Sequence, residues 1–196
     1  MAADFRHTRF LKSAASLEDL PPDTGREVAF AGRSNSGKSS ALNAITGVKG
    51  LARVSKTPGR TQLLNFFAVS ETRYLVDLPG YGYARVPLAV QRQWGRLMED
   101  YFSARGALAG LVLVMDARHP LTEFDSRLLA WTNPLRLPVL VLLSKADKLS
   151  RSAASAVQRQ VAQRLQAQAQ VQVFSAVSKS GVDDARRVIT HWLSSP

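Results

Sequence analysis

Cysteine is absent from this 196-residue chain, which excludes disulfides, thiol catalysis and cysteine-bound zinc. Histidine is scarce, and His7, His119 and His191 stand too far apart to show metal-ligand spacing. Long apolar runs are missing as well. Stretches such as Leu137 to Leu143 fall far short of the roughly 20 residues that a membrane-spanning helix needs. Residues 1–12 carry charges throughout and lack the apolar core of a signal peptide, so the expected location is cytoplasmic.

Acidic residues are also in short supply. Against 26 Lys and Arg there are 15 Asp and Glu, a formal charge of +11. Such an excess favours a polyanionic partner, either nucleic acid or an anionic membrane surface, and carries no information on fold. The deficit is uneven. Residues 39–70 contain no acid but carry Lys49, Arg53, Lys56 and Arg60, and residues 148–182 contain none but carry Lys148, Arg151, Arg159, Arg164 and Lys179. These stretches fit a sequence-independent phosphate-binding surface, with RNA affinity that falls steeply with salt. Hydrophobic content of 45% with 21% charged residues is ordinary for a soluble globular protein, and the length suits one domain.

Along the chain, residues 1–25 read as a polar lead-in closed by the turn signal Leu20-Pro21-Pro22-Asp23, and residues 26–196 as a single domain. Strands are predicted at 27–31, 62–69, 72–76, 110–115, 139–143 and 171–174, and helices at 38–46, 88–102, 121–131, 152–167 and 182–193. In the second helix Val90, Trp94, Leu97, Met98 and Tyr101 recur at helical spacing, which reads as a core face. Alternating strands and helices predict an α/β fold, a six-stranded, mostly parallel sheet flanked by helices. Only Ser70-Glu71 separate strands 62–69 and 72–76, so these two form a hairpin and one strand is expected at an antiparallel edge.

The strongest chemical signal is Gly32-Arg33-Ser34-Asn35-Ser36-Gly37-Lys38-Ser39, which fits G-x-x-x-x-G-K-S/T between an apolar strand and a helix. Glycines at these positions let backbone N–H groups curl around phosphates, and the helix N-terminus adds favourable partial charge. Lys38 would neutralise β- and γ-phosphate oxygens, and the Ser39 hydroxyl would ligate Mg²⁺. Asp77-Leu78-Pro79-Gly80 follows the apolar run Tyr74-Leu75-Val76, where Asp77 can hold Mg²⁺ through a water and the Gly80 amide can reach the γ-phosphate.

Two further elements choose the base. Ser144-Lys145-Ala146-Asp147 stands where GTPases read guanine, in the pattern N/T-K-x-D. A carboxylate at Asp147 accepts from the guanine N1–H and N2 amino groups, a donor pair that adenine lacks. Lys145 would lay its stem across the base, and Ser144 departs from the usual Asn or Thr. Phe174-Ser175-Ala176 after the last strand matches the weaker fifth element, whose backbone amide contacts guanine O6. Between the phosphate loop and D-x-P-G lies Ser55-Lys56-Thr57-Pro58-Gly59-Arg60-Thr61-Gln62, expected to be switch I. Thr57 and Thr61 are both candidates to complete the Mg²⁺ shell; Thr61 is preferred because it directly precedes a strand and a glycine lies just upstream. The fold class expected is therefore a P-loop NTPase with a Ras-like GTPase domain.

The strings E-V-A-F-A-G-R-S-N-S-G-K-S-S-A-L-N (27–43), S-K-T-P-G-R-T-Q (55–62), D-L-P-G-Y-G-Y-A (77–84), S-K-A-D-K-L (144–149) and F-S-A (174–176) resemble the EngB family, also called YihA or YsxC. The resemblance spans nearly the whole chain. It implies a bacterial GTPase needed for assembly of the large ribosomal subunit, with 50S particles or their precursors as partner and a link to septation and cell division. It implies Mg²⁺ ligation by Ser39 and Thr61, and nucleotide contacts from Gly32 to Ser39, from Gly59 through Arg60, Thr61 and Gln62 to Leu63, from Asp77 to Gly80, from Ser144 to Asp147, and at Phe174, Ser175 and Ala176. Ser36 and Ala41 stand where the family often has Val and Leu or Ile.

Ras-like proteins place a water-orienting glutamine just after D-x-x-G, and this chain has Tyr81 there. Slow intrinsic hydrolysis of GTP to GDP is expected, accelerated by a partner or a monovalent cation, with Lys38, Thr61, Gly80 and Asn35 as the catalytic set. Asn35 stands where related GTPases ligate K⁺ in place of an arginine finger; the same residue would also suit a tight loop. The γ-phosphate would order both switches and hydrolysis would release them. A monomer is expected. A membrane-surface signalling GTPase or a small-molecule P-loop kinase would share the P-loop; the first lacks an amphipathic or lipid anchor here and the second would not need S-K-A-D.

Overall fold

The computed structural model describes residues 4–52, 63–80 and 88–195, the last segment without the side chains of residues 88–94 and 167. The predicted switch I residues 55–62, Thr57 and Thr61 among them, and Tyr81 lie outside the described residues. Strands β1 (Arg9–Ala14), β2 (Arg26–Gly32), β3 (Leu64–Ser70), β4 (Arg73–Asp77), β5 (Leu108–Asp116), β6 (Val139–Ser144) and β7 (Gln170–Val173) alternate with α1 (Lys38–Thr46), α2 (Leu88–Ala104), α3 (Glu123–Thr132), α4 (Arg151–Leu165) and α5 (Val182–Ser194). The strands join in one sheet in the order β1-β3-β4-β2-β5-β6-β7.

The central strands β2, β5 and β6 are runs of Val, Ala, Phe and Leu with almost no exposed residue, as strands covered on both faces require. Alternate residues sort to opposite faces. Val28, Phe30, Val112, Val114, Leu140 and Leu142 pack against Leu42 and Ile45 of α1 and Ile189 and Leu193 of α5. Ala29, Ala31, Leu111, Leu113, Val141 and Leu143 pack against Met98 and Tyr101 of α2, Leu128 of α3 and Val161 of α4. The result is a three-layer α/β/α domain. The expected core face of α2 is found at Leu97, Met98 and Tyr101; the side chains of Val90 and Trp94 lie outside the description.

The sheet departs from expectation at one edge. Six strands are predicted and seven are present among the described residues, because the stretch read as a lead-in supplies β1, which pairs antiparallel with β3. β3 also runs antiparallel to β4, forming the predicted hairpin, so the reversed strand sits inside the sheet with β1 outside it. The pattern of β1 conceals it. Only Ala14 is buried, and a register shift between Phe10 and Lys12 breaks the two-residue alternation. Backbone pairing, the Ser13 hydroxyl bond to Asn65 Oδ1 at 2.7 Å and an edge-on contact of Phe10 with Phe67 hold the strand.

Helix boundaries follow local chemistry. α3 starts at Glu123 rather than Leu121, because Leu121 adopts φ 57° and Thr122 and Asp125 form a reciprocal cap. Ser150 caps α4 by accepting from the Ala153 N–H at 3.2 Å. At the N-terminal end of β2, fully buried Glu27 accepts from Arg105 at 2.5 Å and from the Tyr101 hydroxyl at 3.0 Å. Burial, then the Glu27 charge, pushes the Tyr101 phenol well up from its ordinary value. This cluster fastens the end of α2 to the sheet edge opposite the one from which the P-loop emerges. A buried carboxylate is tolerable there only because its oxygens are all engaged.

Candidate nucleotide site

Gly32 ends β2 and the chain turns through Arg33–Gly37 into α1. The Ser36 N–H donates to the Arg33 carbonyl at 2.9 Å, and Asn35 (φ 64°) and Gly37 (φ 95°) both take the left-handed conformation. A side chain at Gly32 would bring its Cβ within 2.6 Å of Ser36 Oγ and 2.7 Å of the Val114 carbonyl oxygen, so only glycine fits under the loop. The first helical bond of α1 runs from Ala41 N–H to the Gly37 carbonyl, which leaves earlier N–H groups facing the loop. No acidic residue lies in that first turn to offset the helix dipole. The arrangement is a cradle for an anion.

Pairing of β4 with β2 sets Phe30 opposite Asp77, and the Leu78 N–H donates to the Phe30 carbonyl at 2.9 Å. The Lys38 ammonium consequently meets Asp77 Oδ1 in an ion pair. Both side chains are only about a tenth exposed, at 10% and 11%, a setting where an unpartnered charge would be costly. Gly80 lies against the same loop: a Cβ there would be 3.7 Å from Ser34 Cα. The predicted residues Gly32 to Ser39 and Asp77 to Gly80 therefore form one surface.

The base-reading element joins it from the other side. Ser144 ends β6, and its hydroxyl donates to the Ser36 carbonyl. The serine that departs from Asn or Thr thus ties the two loops together. Lys145 takes φ 57° and its Nζ reaches across to the Asn35 carbonyl at 2.5 Å and to Asp116 Oδ2 at 3.0 Å. The Ala146 N–H donates to the Phe174 carbonyl at 3.2 Å. Ser175 is fully buried; its hydroxyl accepts from the Val177 and Ser178 N–H groups and donates to Asp147 Oδ1 at 2.7 Å. That bond, then the residue's own backbone N–H and the nearby Lys148 ammonium, holds the Asp147 carboxyl below its ordinary value. Asp147 is therefore an ionised acceptor across the neutral range, as recognition of a guanine edge requires.

Phe174 is buried beneath the site and Ala176 half-buried beside it. Leu63 is half-buried just before β3, while Gly59, Arg60, Thr61 and Gln62 lie outside the described residues. Two residues that sequence reading missed are Asp116, at the end of β5, and Arg118, bonded to it at 2.7 Å. The available signal was a carboxylate at the C-terminal end of a wholly apolar strand, the same position that Asp77 occupies.

The residues present fit Mg²⁺. Asp77 offers a carboxylate and Ser39, half-buried in the first turn of α1, a hydroxyl; both are hard oxygen donors. Among the described residues no group of three or more His, Cys, Asp or Glu could cage a metal. Thr61, the other expected protein ligand, lies outside the described residues, and phosphates and water would complete the shell, as is usual for Mg²⁺.

A phosphate cradle and a guanine-edge acceptor at the C-terminal ends of a mostly parallel sheet define a P-loop GTPase domain. A family model described as a 50S ribosome-binding GTPase matches residues 27–145. A relative from Coxiella burnetii strain CbuK_Q154, described as a probable GTP-binding protein EngB, is 50% identical over 197 residues, covering 99% of this chain and 96% of that protein. Another so described, from Methylobacillus flagellatus, is 52% identical over 195 residues, covering 98% and 94%. The chain belongs to the EngB family of GTP-binding proteins. Among solved structures, a probable GTP-binding protein engB superposes with TM-score 0.69 at 21% identity, covering 85% of this chain and 98% of that one. Aquifex aeolicus Era superposes with TM-score 0.67 at 18% identity, covering 88% and 58%. At these identities the likeness is one of fold.

Replacing Asp147 with Asn removes one acceptor and supplies a donor, which suits the 2-oxo group of xanthine better than the 2-amino group of guanine. Competition binding should show Asp147→Asn losing about 100-fold or more in GDP affinity while gaining affinity for xanthosine diphosphate. An unchanged preference for GDP would show that Asp147 does not read the base.

Proposed function

We propose that this GTPase is a Mg²⁺-dependent molecular switch that hydrolyses GTP to GDP and phosphate during assembly of the large (50S) ribosomal subunit, acting as a cytoplasmic monomer. The observation that carries the ribosomal part is charge. Lys148, Arg151, Arg159, Arg164 and Lys179 are all exposed, with no acid between residues 148 and 182, and this stretch adjoins the guanine-reading residues Asp147 and Ser175. Lys49 extends the basic character beyond α1. The family description as 50S ribosome-binding supports the same partner. A link to septation and cell division would follow indirectly, through ribosome supply.

In this reading Lys38 exchanges Asp77 for the β- and γ-phosphates when GTP arrives, and its former partner turns to the metal side of the site. Ser39, Thr61 and, through a water, Asp77 would hold Mg²⁺, which would supply neutralising charge at the phosphates. N–H groups of the P-loop orient the anion, and Thr61 and Gly80 report whether a γ-phosphate is present. Gly59, Arg60, Thr61, Gln62 and Leu63 would add further nucleotide contacts. With Tyr81 in the position of the water-orienting glutamine, intrinsic hydrolysis is slow and depends on an accelerator.

Cosedimentation with 50S particles tests the switch. More protein should pellet with a non-hydrolysable GTP analogue than with GDP, and the bound fraction should fall steeply as salt rises. Equal binding in both nucleotide states would remove the γ-phosphate control, and pelleting with anionic liposomes in place of 50S particles would favour a membrane-surface role.

K⁺ is proposed as the accelerator, held in part by Asn35. The left-handed backbone at Asn35 already accounts for an asparagine there without any ion, so the two roles need separating. Turnover should be faster in KCl than in NaCl, and the difference should vanish in Asn35→Ala. A wild type indifferent to the cation would end the idea.

A further inference from the structure

The contacts around Lys145 include a residue that no sequence motif singles out. Asp116 is the last residue of β5 and lies in parallel register with Ser144, the last of β6. The Ala117 N–H donates to the Ser144 carbonyl at 2.9 Å, so the two strand ends leave the sheet locked together. The Asp116 carboxylate is thereby held beside Lys145.

Both of its oxygens are fully engaged. Oδ1 accepts from the Arg118 backbone N–H at 3.0 Å and from Arg118 Nε at 2.9 Å. Oδ2 accepts from the Arg118 guanidinium at 2.7 Å and from Lys145 Nζ at 3.0 Å. Four bonds fill the acceptor capacity of a carboxylate, which leaves the group no competing orientation. The Arg118 guanidinium, and after it Lys145, draws the Asp116 carboxyl well below the usual carboxylate range. From this anchor the Lys145 ammonium reaches on to the Asn35 carbonyl at the crest of the P-loop.

We propose that Asp116, clamped by Arg118, is a positioning residue that presets Lys145 over the guanine seat and onto the P-loop, and thereby slows nucleotide release. A lysine stem is long and flexible, and ordering it at each binding event opposes binding. A side chain already ordered in the free protein avoids that loss. An exposed Asp–Arg pair on its own would contribute little. Here Arg118 is 44% exposed but Asp116 only 12%, and the second partner is the lysine of the base-reading element. The chain Arg118–Asp116–Lys145–Asn35 joins the base half of the site to its phosphate half. Its premise is guanine-nucleotide binding alone, independent of any ribosomal role.

The test is release of a fluorescent GDP analogue from the full-length protein, chased with unlabelled GDP. Asp116→Asn should release about 10-fold faster, as should Lys145→Met, and the double variant should match Lys145→Met within about 2-fold, since Asp116 acts through the lysine. Arg118→Gln, on an exposed side chain, should raise release about 3-fold in the wild-type background and leave Lys145→Met unchanged. This second pair decides the matter if Asp116→Asn does not fold. Release rates that stay at the wild-type value, or that multiply in the double variants as independent effects do, would overturn the proposal. Wild-type protein that fails to bind the analogue would instead overturn the guanine reading of the site.

Discussion

The ion pair between Lys38 and Asp77 is the contact on which the site depends. Each charge is almost withdrawn from water, and each comes from a different loop: one opens α1, the other ends β4. Neither could be kept there alone without a large desolvation penalty. Their meeting fixes the distance between the P-loop and the D-L-P-G turn and stores two charges that phosphate and Mg²⁺ can each claim. On the proposed function, phosphate would take Lys38 and Mg²⁺ would take Asp77, so binding would replace one satisfied pair with two.

The sheet explains why these charges meet. β2, β4, β5 and β6 all run in the same direction and end at one edge, and each delivers a working residue there: Gly32, Asp77, Asp116 and Ser144. Hydrogen bonds between strand ends and loops carry the registration onward. Leu78 bonds to Phe30, Ala117 to Ser144, Ala146 to Phe174 and Phe174 to Leu143. The loops are therefore extensions of the sheet rather than free connections, and their precision is inherited from the buried strands beneath. At the far edge, the Glu27–Arg105–Tyr101 cluster anchors the C-terminal end of α2.

What could be read from the sequence was what is local. The P-loop announces itself because its glycines, lysine and serine fall within eight consecutive positions between a strand and a helix, and the base-reading element does so because it follows the apolar strand β6. Ser144 was legible as a position but not as a contact, since its partner, the Ser36 carbonyl, lies over 100 residues away. The pairing of Ser175 with Asp147 and of Asp116 with Lys145 was hidden for the same reason: side-chain partners from separate loops leave no spacing rule. β1 escaped because an edge strand with one buried residue and a broken register has almost no pattern to show. The start of α3 was displaced because nothing in the residue type of Leu121 signals a left-handed backbone.

The proposed switch requires Lys38 to give up Asp77 to the phosphates, and a structure of the protein with Mg²⁺ and a non-hydrolysable GTP analogue measures that directly. The predicted result is a Lys38 Nζ to Asp77 carboxylate separation beyond the roughly 4 Å limit of an ion pair, with Nζ on the β- and γ-phosphate oxygens. An intact Lys38–Asp77 pair beside a fully bound nucleotide would contradict it.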